Sequence, residues 1–139
     1  MAEREHKLRA EVLTPEGEVY SGELDQLSTR TMVGEIGVLA NHVPILARLV
    51  PSELRLHTGE GEPERYAAAE GWLQVFANRA LVLVAEAIPP DELDGGSLKE
   101  RLADAEQRLK EADEDSGAAR QAERDRVRAE AFIEIAENR

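Results

Sequence analysis

Apolar and polar residues alternate with a period of two over Leu8-Arg9-Ala10-Glu11-Val12, which predicts a strand with one buried face. Thr14-Pro15-Glu16-Gly17 then reads as a turn, because proline presets its angle and glycine closes the bend. Further turn chemistry falls at Ser21-Gly22, Pro51-Ser52, Thr58-Gly59-Glu60-Gly61 and Ala77-Asn78-Arg79. Between these breaks the pattern predicts strands over 24–31, 45–50, 54–57, 66–69, 72–76 and 80–87. Leu81-Val82-Leu83-Val84 is unbroken, which predicts a strand buried on both faces. Short strands at close spacing, with no helix of ordinary length among them, indicate an antiparallel β-sandwich or barrel over residues 1–88.

The period changes after Pro89-Pro90. Residues 89–96 form a Pro/Gly hinge that ends on Gly95-Gly96. Ser97 and Glu100 then match a capping box, and Leu98, Leu102, Ala105, Leu109 and Ala112 follow on one helical face. Asp113-Glu114-Asp115-Ser116-Gly117 interrupts the face, after which Ala119, Ala122, Ala129, Phe132, Ile133 and Ala136 mark a second helix. Residues 97–139 therefore read as an antiparallel two-helix hairpin. Few of its residues are large and apolar, so the hairpin is expected to dock on another surface, and a docked element can undock.

One segment interrupts the strand pattern with its own logic. Gly34-Glu35-Ile36-Gly37-Val38-Leu39-Ala40-Asn41-His42-Val43-Pro44-Ile45-Leu46-Ala47 reads as a specific loop whose glycines allow angles closed to other residues. Pro44 pushes Val43 toward an extended conformation. Glu35 and His42 stand outside the apolar runs, so the loop is a candidate contact surface.

Charge narrows the choice of partner. Twenty-nine acids oppose 17 bases, a net charge of -12, which argues against nucleic acid and against an anionic membrane surface. No apolar run is long enough to span a bilayer, and Met1-Ala2-Glu3-Arg4-Glu5-His6-Lys7 lacks the apolar stretch of a leader, so a cytoplasmic protein is expected. The absence of cysteine removes disulfides, thiolate catalysis and thiolate metal sites. His6, His42 and His57 lack metal-site spacing, and neither a nucleophile elbow nor a phosphate-binding loop occurs. Glu16, Glu18 and Glu23 read as a solvated strand face. Arg120, Arg124, Arg126 and Arg128 read either as a solvated helix face paired to Glu123, Asp125 and Glu130, or as a surface for an acidic partner or phosphates.

Taken together, these segments resemble the epsilon subunit of bacterial rotary ATP synthases, called delta in mitochondria, over essentially the whole chain. Gly34-Glu35-Ile36-Gly37-Val38-Leu39 and His42-Val43-Pro44-Ile45-Leu46 resemble the family's Gly-Glu-Leu-Gly-Ile-Leu-Pro-Gly-His-Ala-Pro-Leu-Leu, with Ala40-Asn41 in place of Pro-Gly. Val12-Leu13-Thr14-Pro15-Glu16-Gly17 resembles its opening strand and turn. Gly71-Trp72-Leu73-Gln74-Val75, Asn78 and Leu81-Val82-Leu83-Val84-Ala85 resemble its last sandwich strands.

The resemblance implies a non-catalytic subunit of the central stalk, peripheral to the cytoplasmic face of the cell membrane. Gly34, Glu35, Ile36, Gly37, His42 and Pro44 would contact the gamma subunit and the c-ring. The hairpin would restrain ATP hydrolysis by extending beside gamma, with Arg120, Arg124 and Arg128 facing the catalytic beta subunits. Some family members bind ATP through Ile/Leu-Asp-x-x-Arg-Ala. Leu93-Asp94-Gly95-Gly96-Ser97-Leu98 keeps only the first two residues, so weak or no ATP binding and no cofactor are expected. The alternative is an unrelated β-sandwich interaction adaptor with a helical arm. A carboxylate-dependent hydrolase is a distant third reading.

Overall fold

Alternating burial turns the first part of the chain into ten strands: β1 (Leu8–Thr14), β2 (Gly17–Leu24), β3 (Gln26–Thr31), β4 (Gly34–Leu39), β5 (Ile45–Leu49), β6 (Ser52–His57), β7 (Glu64–Ala68), β8 (Gly71–Phe76), β9 (Arg79–Val84) and β10 (Ala87–Ile88). The structure, a computed structural model, describes residues 7–59 and 61–139; the 1–6 part of the run read for a leader, with His6, and Glu60 of the 58–61 turn lie outside the described residues. The chain divides into two units, Met1–Pro89 and Pro90–Arg139.

In the first unit the strands follow the order β10-β7-β6-β3-β5-β8-β9-β1-β2, and β4 adds to β3. The sheet curls into a sandwich whose core includes Leu8, Val12, Leu27, Leu56, Leu73 and Val82, all without solvent exposure. Among the described residues all strand pairs but one are antiparallel; β1 runs parallel to β9, with Ala10 opposite Ala80 and Val12 opposite Val82. Alternation sets which face is buried but carries no strand direction, so the expected all-antiparallel pairing is corrected at this seam.

Four more expectations are corrected. Ser21-Gly22, read as a turn, lies inside β2, where the two residues stand opposite Glu11 and Ala10 of β1. The segment 24–31 is two strands, because Leu24 and Leu27 are both in the core while standing an odd number of residues apart. A straight strand would place them on opposite faces. The chain kinks at Asp25, whose N–H donates to His57 O at 2.8 Å and whose carboxylate pairs with Lys7 Nζ at 2.6 Å. The segment 80–87 likewise breaks after Val84, where Ala85 N donates to Glu70 O at 3.3 Å. Its middle is not buried on both faces: Val82 and Val84 point inward and Leu83 is exposed.

In the second unit a 3-10 turn at Pro90–Glu92 precedes α1 (Gly95–Glu111) and α2 (Gly117–Glu137). The expected capping box is not the start of the helix. Asp94 is the N-cap: its carboxylate accepts from Gly96 N at 3.1 Å and its carbonyl accepts from Leu98 N at 2.9 Å. An aspartate both satisfies free N–H groups and favours the positive end of the helix dipole, so α1 begins before Ser97 and Gly95-Gly96 form its first turn rather than a flexible hinge. Ser116 caps α2, accepting from Ala119 N at 3.1 Å. Leu98, Ala105, Ala122, Ala129 and Phe132 are buried. Arg108 of α1 reaches both Asp104, at 2.8 Å, and Asp125 of α2, at 2.7 Å, so Asp125 pairs across the hairpin as well as accepting from Gln121 of its own helix at 3.1 Å.

Candidate protein-contact surface

The segment 34–39, expected as loop, is a strand. Its glycines disguise an alternation in which Ile36 and Val38 turn inward while Glu35, Gly37 and Leu39 face out. At one end, Met32 and Val33 form the tip of the β3–β4 hairpin. Thr31 Oγ1 closes it by donating to Gly34 O at 2.9 Å and accepting from Val33 N at 3.2 Å. Gly34 has φ 130°, a conformation that L side chains rarely adopt. Gly37 has no such need; a Cβ there would approach Gln26 Nε2 to 2.7 Å. The hairpin tip presents Val33 almost wholly to solvent, at 98% exposure. Opposite Arg30 in register, Glu35 forms an exposed ion pair at 3.2 Å. Pairs of this kind contribute little to folding, so both charges remain available to a partner.

The other end of β4 carries the histidine. Asn41 adopts φ 63°, and His42 N donates to Leu39 O at 3.2 Å. The His42 Nδ1 lies 2.7 Å from Val43 O. A carbonyl only accepts, so Nδ1 carries the hydrogen and Nε2 is the nitrogen left for other partners. Pro44 and Val43 are exposed. A strand the length of β4 is about 17 Å long at about 3.4 Å per residue. Gly34 and Glu35 thus stand at one end of that strand and His42 and Pro44 at the other, with Ile36 and Gly37 between, and the six do not form one compact cluster.

A third feature was not anticipated. On the outer face of β5, β8 and β9, Arg48, Trp72 and Leu83 lie in one cross-strand row, and Leu46, Gln74 and Leu81 in the next. Leu46 is 68% exposed and Trp72 46%, with Phe76 and Leu83 open beside them and Leu39 and Val43 also exposed. Isolated exposed apolar residues are ordinary, but a run of large ones across neighbouring strands marks an interaction surface. The signal was present: β8 has apolar residues at both parities, Leu73 and Val75 inward, Trp72 and Phe76 outward.

In the second unit Arg120 and Arg124 are exposed and Arg128 is half-buried. Arg120 donates to Asp115 O at 2.7 Å and Arg124 to Gln121 Oε1 at 2.7 Å, while Arg126 pairs with Glu123 and Glu130. Leu93 is buried and Asp94 is engaged as the cap of α1. Among the described residues no group of histidines and carboxylates has metal-site geometry, and no helix is long and apolar enough to cross a membrane.

Residues 7–90 match the family model described as ATP synthase, delta/epsilon chain, beta-sandwich domain. The chain is 39% identical over 127 residues to the ATP synthase epsilon chain of Persephonella marina, covering 91% of this chain and 93% of that one. It is 36% identical over 132 residues to that of Rubrobacter xylanophilus, covering 92% and 90%. The chain belongs to the ATP synthase delta/epsilon family. The fold is also found in two solved structures. A chain in the cryo-EM structure of the Euglena gracilis mitochondrial ATP synthase, OSCP/F1/c-ring in rotational state 1, superposes with a TM-score of 0.76 at 23% identity, over 91% of this chain and 79% of that one. One in the Tetrahymena thermophila mitochondrial ATP synthase central stalk/c-ring gives 0.61 at 18%, over 94% and 93%. For this member of the epsilon family, the sandwich followed by two helices is therefore the family architecture.

Proposed function

We propose that this epsilon-family chain is a non-catalytic central-stalk subunit that couples the catalytic head of ATP synthase to its c-ring. The observation that carries the reading is the apolar outer face around Trp72, Leu83 and Leu46, on a chain that belongs to a family of ATP synthase subunits. Such a face suits a stable protein partner, for which the gamma subunit is the fitting choice. The polar hairpin end with Glu35 and Arg30, and the turn with His42 and Pro44, suit the polar loops of the c-ring. In this reading the subunit is peripheral, at the cytoplasmic face of the membrane, without inserting into it.

The second unit restrains ATP hydrolysis in this reading, with Arg120, Arg124 and Arg128 offered to acidic groups of the beta subunits. The engagement of Asp94 as a helix cap, and the lack of the family's arginine, support weak or absent ATP binding. Affinity purification of the ATP synthase with a tagged wild-type chain and a tagged Trp72→Ser/Leu83→Ser variant tests the coupling role. Wild type is expected to bring down gamma and the catalytic subunits, and the variant to lose them. Equal recovery would overturn the assigned face. Removing residues 90–139 should raise hydrolysis by the complex; unchanged hydrolysis would overturn the inhibitory role.

A further inference from the structure

α1 has 17 residues and α2 has 21. Joined by the short connection 112–116, the two helices run antiparallel, and at about 1.5 Å per residue α2 overreaches the start of α1 by about 6 Å. That extra turn brings Arg139 level with the 3-10 turn that enters the hairpin. One guanidinium nitrogen, Nη1, donates to Pro90 O at 2.6 Å and to Leu93 O at 2.7 Å, one hydrogen for each carbonyl. Pro90 O also accepts from Leu93 N at 3.2 Å, so Arg139 grips the bond that closes the turn.

Arg139 is not needed to finish its own helix. Asn138 does that: its N–H lies 3.2 Å from both Glu134 O and Ile135 O, and its side-chain Nδ2 donates to Glu134 O at 2.8 Å. The guanidinium instead reaches across 46 and 49 residues of sequence. Its acceptors are neutral carbonyls, so the contact is charge-assisted on one side only and less sensitive to salt than the Arg108–Asp125 pair.

We propose that Arg139 is a latch between the end of α2 and the joint 90–93. It holds the joint only while α2 lies folded back along α1, so swinging α2 away releases the joint in the same event. The hairpin would thus report its own closure to the segment that tethers it. The further consequence, that releasing the latch favours the inhibitory arrangement, rests on the inhibitory role proposed above.

The test is amide hydrogen exchange on the full chain, comparing wild type with Arg139→Gln, Arg139→Lys and, as a control, Arg124→Gln. Arg139→Gln is expected to speed exchange at Leu93, Gly96 and Leu98 by about tenfold, the scale for losing hydrogen bonds from a charged donor. Amides of 120–132 should be unchanged, Arg139→Lys should fall between, and Arg124→Gln should match wild type. Unchanged exchange at the joint would overturn the latch, as would equal acceleration throughout the hairpin, which is the mark of a merely structural contribution. The two Arg139 variants are then assembled into ATP synthase. Faster joint exchange with stronger inhibition of hydrolysis supports both ideas; faster exchange with unaltered hydrolysis keeps the latch and overturns its inhibitory consequence.

Discussion

Asn78 Oδ1 accepts a hydrogen bond from Asn41 N at 2.8 Å, and through it the tip of the β8–β9 hairpin clamps the turn that carries His42. The same side chain donates through Nδ2 to Lys7 O at 2.8 Å, so one amide joins three chain segments that are remote in sequence. Both asparagines have φ near +60°, a conformation asparagine tolerates better than most residues. The clamp explains how a turn without the family's Pro-Gly pair holds its shape: the constraint comes from a neighbouring hairpin rather than from the turn's own residues.

Replacing Asn78 with glycine isolates this clamp, because glycine keeps the positive φ and removes only the amide. Loss of about 1–3 kcal/mol is expected from the two broken hydrogen bonds. Urea unfolding gives the stability, and exchange at Asn41 and His42 shows whether the turn has loosened. Unchanged exchange there would mean that the turn is held by other contacts.

Gly71 is a position where backbone leaves no room for a side chain. A Cβ would run into the carbonyl oxygen of Leu83 and come within 2.8 Å of Val84 Cα, and both obstacles are backbone. Gly71→Ala should therefore lower the stability of the chain by about 1–3 kcal/mol or more, as overpacking does. Thermal melting followed by circular dichroism measures this; a melting point equal to wild type would show that β8 and β9 can separate at no cost.

Glu53 predicts a pH dependence. Burial pushes its carboxyl up, but hydrogen bonds from Arg65 and Arg55, reinforced by their charges, hold it below the usual carboxylate range. Arg65 Nη2 lies 2.6 Å from Glu53 Oε2. A carboxyl whose folded pKa is depressed contributes stability that is fully present above its unfolded value, about 4.3, and is lost as pH falls through the folded value. Denaturant midpoints at pH 7 and at about pH 3 should therefore differ less for Glu53→Gln than for wild type. Parallel pH curves for the two proteins would remove Glu53 from the acid response.

The outer apolar face makes a prediction of opposite character. Trp72→Ser should change folding stability by only about 0.5–1 kcal/mol, because the indole is substantially exposed. If the proposed role holds, the same change should weaken gamma binding by tenfold or more, the effect expected of an aromatic anchor. Calorimetric titration of the chain with gamma, beside urea unfolding of the chain alone, separates the two; loss of stability with unaltered binding would make Trp72 a folding residue.

How far residue pattern alone could go is clearest in β4 and α1. The β4 segment was recognisable as special, yet its strand character was hidden because Gly37 occupies an outward position and leaves the alternation incomplete. Its pairing with β3, and hence the Arg30–Glu35 pair, depends on register that only the assembled hairpin establishes. In α1 the Ser97–Glu100 capping box is the start read from the residues, but Asp94, a cap of equal local chemistry, is the one the fold uses. The 3-10 turn before Asp94 decides the matter by delivering the chain with Asp94 in extended geometry, at φ -103° and ψ 106°.

The strand-rich first part, the change from period two to helical spacing, most of the turns and the family resemblance were legible in the residues, because each is a local property of neighbouring side chains; β2 was not, since Ser21-Gly22 carries turn chemistry yet is held in a strand by pairing with β1. Only tertiary structure decided the parallel seam of β1 on β9, the separation of Glu35 from His42 along β4, and the exposure of Trp72 and Leu83. The same is true of the reach of Arg139 to Pro90 and Leu93. Each of those depends on segments far apart in sequence, and an apolar residue carries the same chemistry whether its face is covered by its own chain or left open for another.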